Sequence, residues 1–106
     1  RDRAELSAIF TQLCEKVAED LQRKGYVGKT IGIKLRFDDF KIATRDQTIA
    51  VHTADARQIR QAAGQCLKRV TLDRRLRLLG VRVGTLARPG ELAESAEMVD
   101  TTGQLF

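Results

Sequence analysis

Thr30-Ile31-Gly32-Ile33-Lys34-Leu35-Arg36-Phe37-Asp38-Asp39-Phe40 is the stretch whose reading decides the fold. Its apolar residues recur at every second position, at Ile31, Ile33, Leu35 and Phe37, with Thr30, Gly32, Lys34 and Arg36 between them. Successive side chains of a strand point to opposite faces, so this pattern specifies a strand with one apolar and one basic face. Asp38-Asp39 reads as a tight turn, and a second strand follows from Phe40.

Upstream, Leu6, Ile9, Phe10, Leu13, Cys14, Val17 and Leu21 draw one stripe down a helix of about five turns. Asp2 with Glu5 suits its start, and Arg23, Lys24 and Gly25 give a basic last turn followed by a terminating glycine. Downstream, Thr53 or Asp55 is placed to cap a second helix, with Ala56, Ile59, Ala62, Ala63, Cys66, Leu67 and Val70 as its buried stripe. A third strand spans Leu76 to Leu86. The fold class is α+β, an antiparallel-type sheet with both amphipathic helices packed on one face. The other face is left to water or to a partner.

Two strands change parity. Phe40 and Ile42 are apolar at even positions, Ile49 and Val51 at odd ones, so the second strand needs a bulge, placed at Arg45 to Gln47. Leu76 and Leu78 share one parity and Leu79, Val81 and Val83 the other, which asks for a second bulge. With both bulges in place the outward face holds Lys34, Arg36, Lys41, Arg45, Arg75, Arg77 and Arg82 and no acid. Ala43, Thr48, Ala50, His52, Gly80 and Gly84 lie between them, and aromatic residues are absent. A face evolved for solubility mixes both signs of charge. A face of one sign among small residues suits phosphates approaching the strand, with little capacity to read sequence. An acidic partner protein, met by a small interaction or dimerisation module, is the alternative.

The 106 residues suit one domain, and 42% hydrophobic with 31% charged residues excludes both a disordered chain and a membrane-spanning one. Cys14 and Cys66 are too few for a disulfide scaffold or a zinc site, which makes an intracellular domain the default. No nucleophile, acid or base constellation suggests catalysis by this chain: Asp38 and Asp39 belong to a turn, and His52 is the one histidine. The net charge of +5 divides unevenly. Residues 1–87 carry 18 basic against 10 acidic side chains, whereas residues 88–106 carry one against four. The expected organisation is a folded basic domain over 1–87 and a flexible acidic tail over 88–106.

Three motifs in order sharpen this picture. Gly32-Ile33-Lys34-Leu35-Arg36-Phe37-Asp38-Asp39-Phe40 resembles the first hairpin of the little finger domain of Y-family DNA polymerases, above all the bacterial polymerase IV group. Ala43-Thr44-Arg45-Asp46-Gln47-Thr48 resembles the T-R-x-x-T segment of that domain, and Arg77-Leu78-Leu79-Gly80-Val81-Arg82-Val83 its R-x-[IL]-G-V-R last strand. The resemblance implies a βαββαβ fold whose first strand is missing from this chain, leaving a sheet edge open to self-association. It implies a non-catalytic domain that holds template–primer duplex for an error-prone, lesion-bypassing polymerase of the bacterial cytoplasm. Magnesium would be bound elsewhere in that parent, with no cofactor in this chain. Matching the DNA-contacting motifs are Thr44, Arg45, Thr48, Arg77 and Arg82; Lys34, Arg36, Lys41 and Arg75 join them from the parity of the strands. Thr44 falls inward on that parity, an exception to the match. Gln104-Leu105-Phe106 resembles a shortened sliding-clamp-binding peptide.

Overall fold

The apolar stripe from Leu6 to Leu21 folds as α1 (Arg3–Lys24), with Phe10, Leu13, Cys14, Val17, Ala18 and Leu21 buried. A computed structural model describes residues 3–70, 75–88 and 99–104 of the chain; Asp2 of the expected capping pair lies outside them. Gly25 ends α1 at φ +75, with its N–H donating to the Gln22 carbonyl at 3.2 Å and the Tyr26 N–H to the Leu21 carbonyl at 2.9 Å. These paired bonds close the helix because only glycine enters the left-handed region without steric penalty.

Strands β1 (Gly28–Phe37) and β2 (Ile42–Thr53) follow, then α2 (Ala56–Lys68), β3 (Leu76–Gly84) and β4 (Val99–Gln104). The antiparallel sheet has the order β2-β1-β3-β4. Asp55 caps α2, its carboxylate accepting from the Arg57 N–H at 2.9 Å, while Thr53 Oγ1 accepts from the Asp55 N–H at 3.0 Å. Both candidate residues therefore serve the cap. The buried side of α2 is Ile59, Ala62, Ala63 and Cys66. Both helices cover one face of the sheet, over a core that includes Ile31, Ile33, Leu35, Phe37, Leu79, Val81 and Val83. No helix among the described residues is long and apolar enough to cross a membrane.

Three expectations are corrected. The bulge placed at Arg45–Gln47 is not there: β1 and β2 pair in unbroken register from Arg36↔Ile42 to Thr30↔Thr48, and the irregularity lies between Gly28 and Thr30. The second strand starts at Ile42 rather than Phe40, which belongs to the turn. Residues 99–104, expected within a flexible tail, form β4 and pair with β3 from Leu78↔Gln104 to Val83↔Val99. Their polar composition hid a strand because an edge strand can be held by backbone bonds that leave no hydrophobic period in the sequence. Val99 alone signals the packing, at 6% exposed. Among the described residues the sheet thus has four strands, with β2 and β4 as its edges. The slip expected in the third strand is present, between Arg36 and Phe37 of the β1–β3 ladder, and it lets Leu76 and Leu79 both face the core.

The β1–β2 connection is a short loop built on a turn in which the Phe40 N–H donates to the Phe37 carbonyl at 3.0 Å. Phe40 sits at φ +67, the position that a three-residue hairpin loop ordinarily fills with glycine. Left-handed backbone costs an L-residue roughly 1–2 kcal/mol. The Arg36 and Arg77 guanidinium carbons each stand 5.3 Å from the Phe40 ring centre, and such contacts at an exposed site return about 0.5–1 kcal/mol apiece. Strain and contacts nearly cancel. Replacing Phe40 by Ala keeps the strain and removes the contacts, whereas Gly removes both. Phe40→Gly is therefore expected to melt above Phe40→Ala by about 4–8 °C, the shift that 1 kcal/mol produces in a domain of this size. The opposite order in a thermal scan would show that the turn does not impose this backbone.

Cys14 is fully buried, and that burial pushes its thiol from the ordinary 9.0 up to about 12, against the opposing pull of the Arg60 cation. In the unfolded chain the thiol ionises from about pH 9, while the folded chain still holds the proton. Stability from this group is present below that pH and is lost as pH rises from about 9 to 12. The urea midpoint should fall over that interval more steeply for the wild type than for Cys14→Ala.

Candidate nucleic-acid interface

Because β1 pairs in even register on both sides, the face away from the helices is laid out in rows across β2, β1 and β3. The rows read Ile42–Arg36–Leu78, Thr44–Lys34–Gly80, Asp46–Gly32–Arg82 and Thr48–Thr30–Gly84. The opposite rows, such as Ala43–Leu35–Leu79 and Arg45–Ile33–Val81, face the helices. Placement of the expected residues follows from these rows.

Lys34, Arg36, Thr44, Thr48 and Arg82 all lie on the outer face, and Arg77 turns to it at the bulge, over the Phe40 ring. Thr44, an exception to the parity reading, is thus outward once the misplaced bulge is removed. Arg45 moves the other way. It sits in the row of Ile33 on the helix side, exposed at the sheet edge, with Nη1 donating to the Thr44 carbonyl at 2.6 Å. Ala43 also faces the helices. Lys41 and Arg75 are exposed beside the hairpin end, just before β2 and β3, and the Arg75 carbonyl accepts from the Asp38 N–H at 3.0 Å. Gln104 closes β4, while Leu105 and Phe106 lie outside the described residues.

The outer face is not purely basic. Asp46 stands on it and takes Arg82 in a forked pair, with Arg82 Nη2 at 3.0 and 3.1 Å from the two carboxylate oxygens. The pair crosses two strand spacings, which it does by passing over Gly32 of the central strand. A Cβ at Gly32 would collide with the Asp46 carboxylate and press on Arg82 Nε. Glycine leaves the room for the pair to close over the strand. Arg82 and Asp46 side chains are 29% and 47% exposed, and a pair so placed contributes about 0–1 kcal/mol. A stronger anion can displace it.

Aromatic residues were expected to be absent from this face, yet Phe40 and apolar neighbours gather at its hairpin end. Phe40 is 60% exposed and Ile42 54%, with half-buried Leu78 across from Arg36. Asp46, Phe40 and Ile42 were missed because Phe40 and Ile42 were counted as core, and Leu78 because its parity grouped it with Leu76. Running the odd parity of Ile49 and Val51 backwards instead would have put Asp46 outside and needed no bulge before Thr48. Among the described residues no three of His, Cys, Asp and Glu come together.

Comparison with known proteins places the chain in a family. Residues 1–97 match the impB/mucB/samB family C-terminal domain. The chain is 34% identical over 96 residues to a DNA polymerase IV of Mesorhizobium japonicum, covering 91% of this chain and 22% of that protein. To the DNA polymerase IV of Caulobacter vibrioides it is 40% identical over 78 residues, 74% of this chain and 19% of that one. A mouse protein, DNA polymerase kappa, is 34% identical over 85 residues, 76% of this chain and 10% of its own length. The chain spans about a fifth of the length of the polymerase IV relatives it matches. It belongs to the impB/mucB/samB C-terminal domain family, the little finger domain of the Y-family DNA polymerases.

Proposed function

We propose that this domain grips duplex DNA without regard to sequence, through the outer sheet face, as the DNA-holding part of a translesion DNA polymerase. The observation that carries the reading is the row arrangement. Lys34, Arg36, Arg77 and Arg82 stand on the face that neither helix covers, interleaved with Thr44, Thr48, Gly32, Gly80 and Gly84. Cations bring phosphate charge to the surface, hydroxyls donate to phosphate oxygens, and glycines let the backbone approach. The family supports DNA as the partner, and the polymerase relatives support nucleotidyl transfer, with magnesium, by other parts of the parent chain. Both described helices lie on the opposite face of the sheet, so phosphate contacts position the domain and bases contribute little.

Four phosphates neutralised by these four cations give a log–log salt slope of about −3.6 for duplex binding. Fluorescence anisotropy with a template–primer duplex measures it; a slope near zero, or equal binding of a sulfated polyanion at matched charge, would return the face to an acidic protein partner. Arg77→Ala should weaken binding similarly for unrelated sequences and flatten the slope by about 0.9. Asp46→Asn should do the reverse, tightening binding several-fold at 0.1 M salt because Arg82 no longer has to exchange one anion for another. If Asp46→Asn binds no tighter than wild type, Arg82 does not meet the DNA.

A further inference from the structure

At the hairpin end the outer face changes character, from a surface of cations and small residues to a recess with apolar walls. A depression of about 250 Å³ is lined by Lys34, Arg36, Ile42, Leu78 and Gly80. Phe40 stands at its hairpin end, with Arg36 and Arg77 both against its ring. Three observations need an explanation that a duplex footing does not supply. Phosphates have no use for exposed Phe40 and Ile42 or for half-buried Leu78. Arg36 Nε is buried yet has no hydrogen-bond partner, a donor left waiting in the wall of the recess. And Phe40 holds a left-handed backbone that glycine would adopt freely; strain kept at an exposed aromatic points to a use for the ring.

We propose that this recess is a site for one unpaired nucleotide of single-stranded DNA, the base resting on Phe40, Ile42 and Leu78 and its phosphate meeting Lys34 and Arg36. The chemistry selects that occupant. Bases within a duplex are stacked on one another and offer only their edges, so an apolar platform gains nothing from them. An unstacked base offers a flat apolar surface, which aromatic side chains hold with little sequence preference. The recess is smaller than the roughly 300–1,000 Å³ that holds a drug-sized ligand, which limits it to one base. Its position at the end of the cationic rows places the unpaired nucleotide where a strand leaves the duplex. This inference rests on the duplex-binding reading for that geometry, but the recess itself needs only a single strand.

Anisotropy titrations with four probes test it: a blunt duplex, the same duplex with a three-nucleotide single-stranded overhang, the same overhang with abasic residues, and the single strand alone. The wild-type chain should bind the overhang duplex at least 5-fold tighter than the blunt one, and the abasic overhang should lose that advantage. Phe40→Leu should abolish the preference while leaving blunt-duplex affinity within 2-fold, and Phe40→Tyr should retain it. Circular dichroism of each variant confirms an intact fold, and the exposed position of Phe40 makes loss of folding no obstacle. Equal affinity of wild type for blunt, overhang and abasic probes would overturn the proposal, as would a preference that survives in Phe40→Leu. Failure of the two readings separates cleanly. Binding to the single strand that depends on the Phe40 ring, without binding to blunt duplex, would keep the recess and remove the duplex reading. Blunt-duplex binding without an overhang preference would do the opposite. Absence of binding to every probe would remove both.

Discussion

Everything on the outer face depends on the central strand β1 keeping its register on both sides over Thr30–Arg36. Four alternating apolar residues lock that strand to the core, and a slip by one residue would turn all of them into solvent. Both irregularities are pushed to its ends, one beyond Thr30 against β2 and one beyond Arg36 against β3. Between them the three strands act as a ruled grid. A cation on β1 is therefore flanked by fixed neighbours on β2 and β3, and the functional face inherits its order from the hydrophobic face beneath it.

The grid explains why the glycines sit where they do. Gly32, Gly80 and Gly84 occupy outer positions on the two inner strands, and at Gly32 a larger side chain would fill the space that the neighbouring ion pair uses. Gly32 shows the constraint most directly, because the Asp46–Arg82 pair lies across it. Glycine within a strand costs stability through backbone entropy, and the buried faces of the same strands, with Ile31, Ile33, Leu79, Val81 and Val83, make good that loss. The two faces of one strand thus carry opposite duties, which is the arrangement a half-buried antiparallel sheet permits.

Period and capping made most of the fold readable from the residues. Leu6 to Leu21, Ile31 to Phe37 and Ile59 to Cys66 each bury enough apolar surface that the pattern has one interpretation. Thr53 and Asp55, Gly25, and the slip in the third strand were equally plain, because each answers to a local rule of backbone bonding. The parts that were hidden are those where side chains do not face the core. Phe40 and Ile42 are apolar without being buried, so counting them as core shifted the second strand and moved Arg45 outward and Asp46 inward. β4 was invisible for the reverse reason: its residues are polar, and its place is set by hydrogen bonds to β3. Hydrophobic periodicity reports on burial alone and is silent about apolar residues kept outside for another purpose.

That purpose bears on how a domain can hold DNA and still let it move. A face of unopposed cations would bind phosphates tightly at every register and resist translocation by each base pair. On the duplex-binding reading, Asp46 lowers the net attraction of the third row, and the ion pair it makes with Arg82 is weak enough to open and reform as phosphates pass. Affinity carried by several such modest contacts is sequence-independent and falls with salt. A single aromatic platform at one end behaves differently: it gains only where a base is unstacked, so it marks a position along the DNA that the cations cannot distinguish. On the readings proposed, the cationic rows supply grip and the Phe40 recess supplies registration, and the register of β1 keeps the two at a fixed separation.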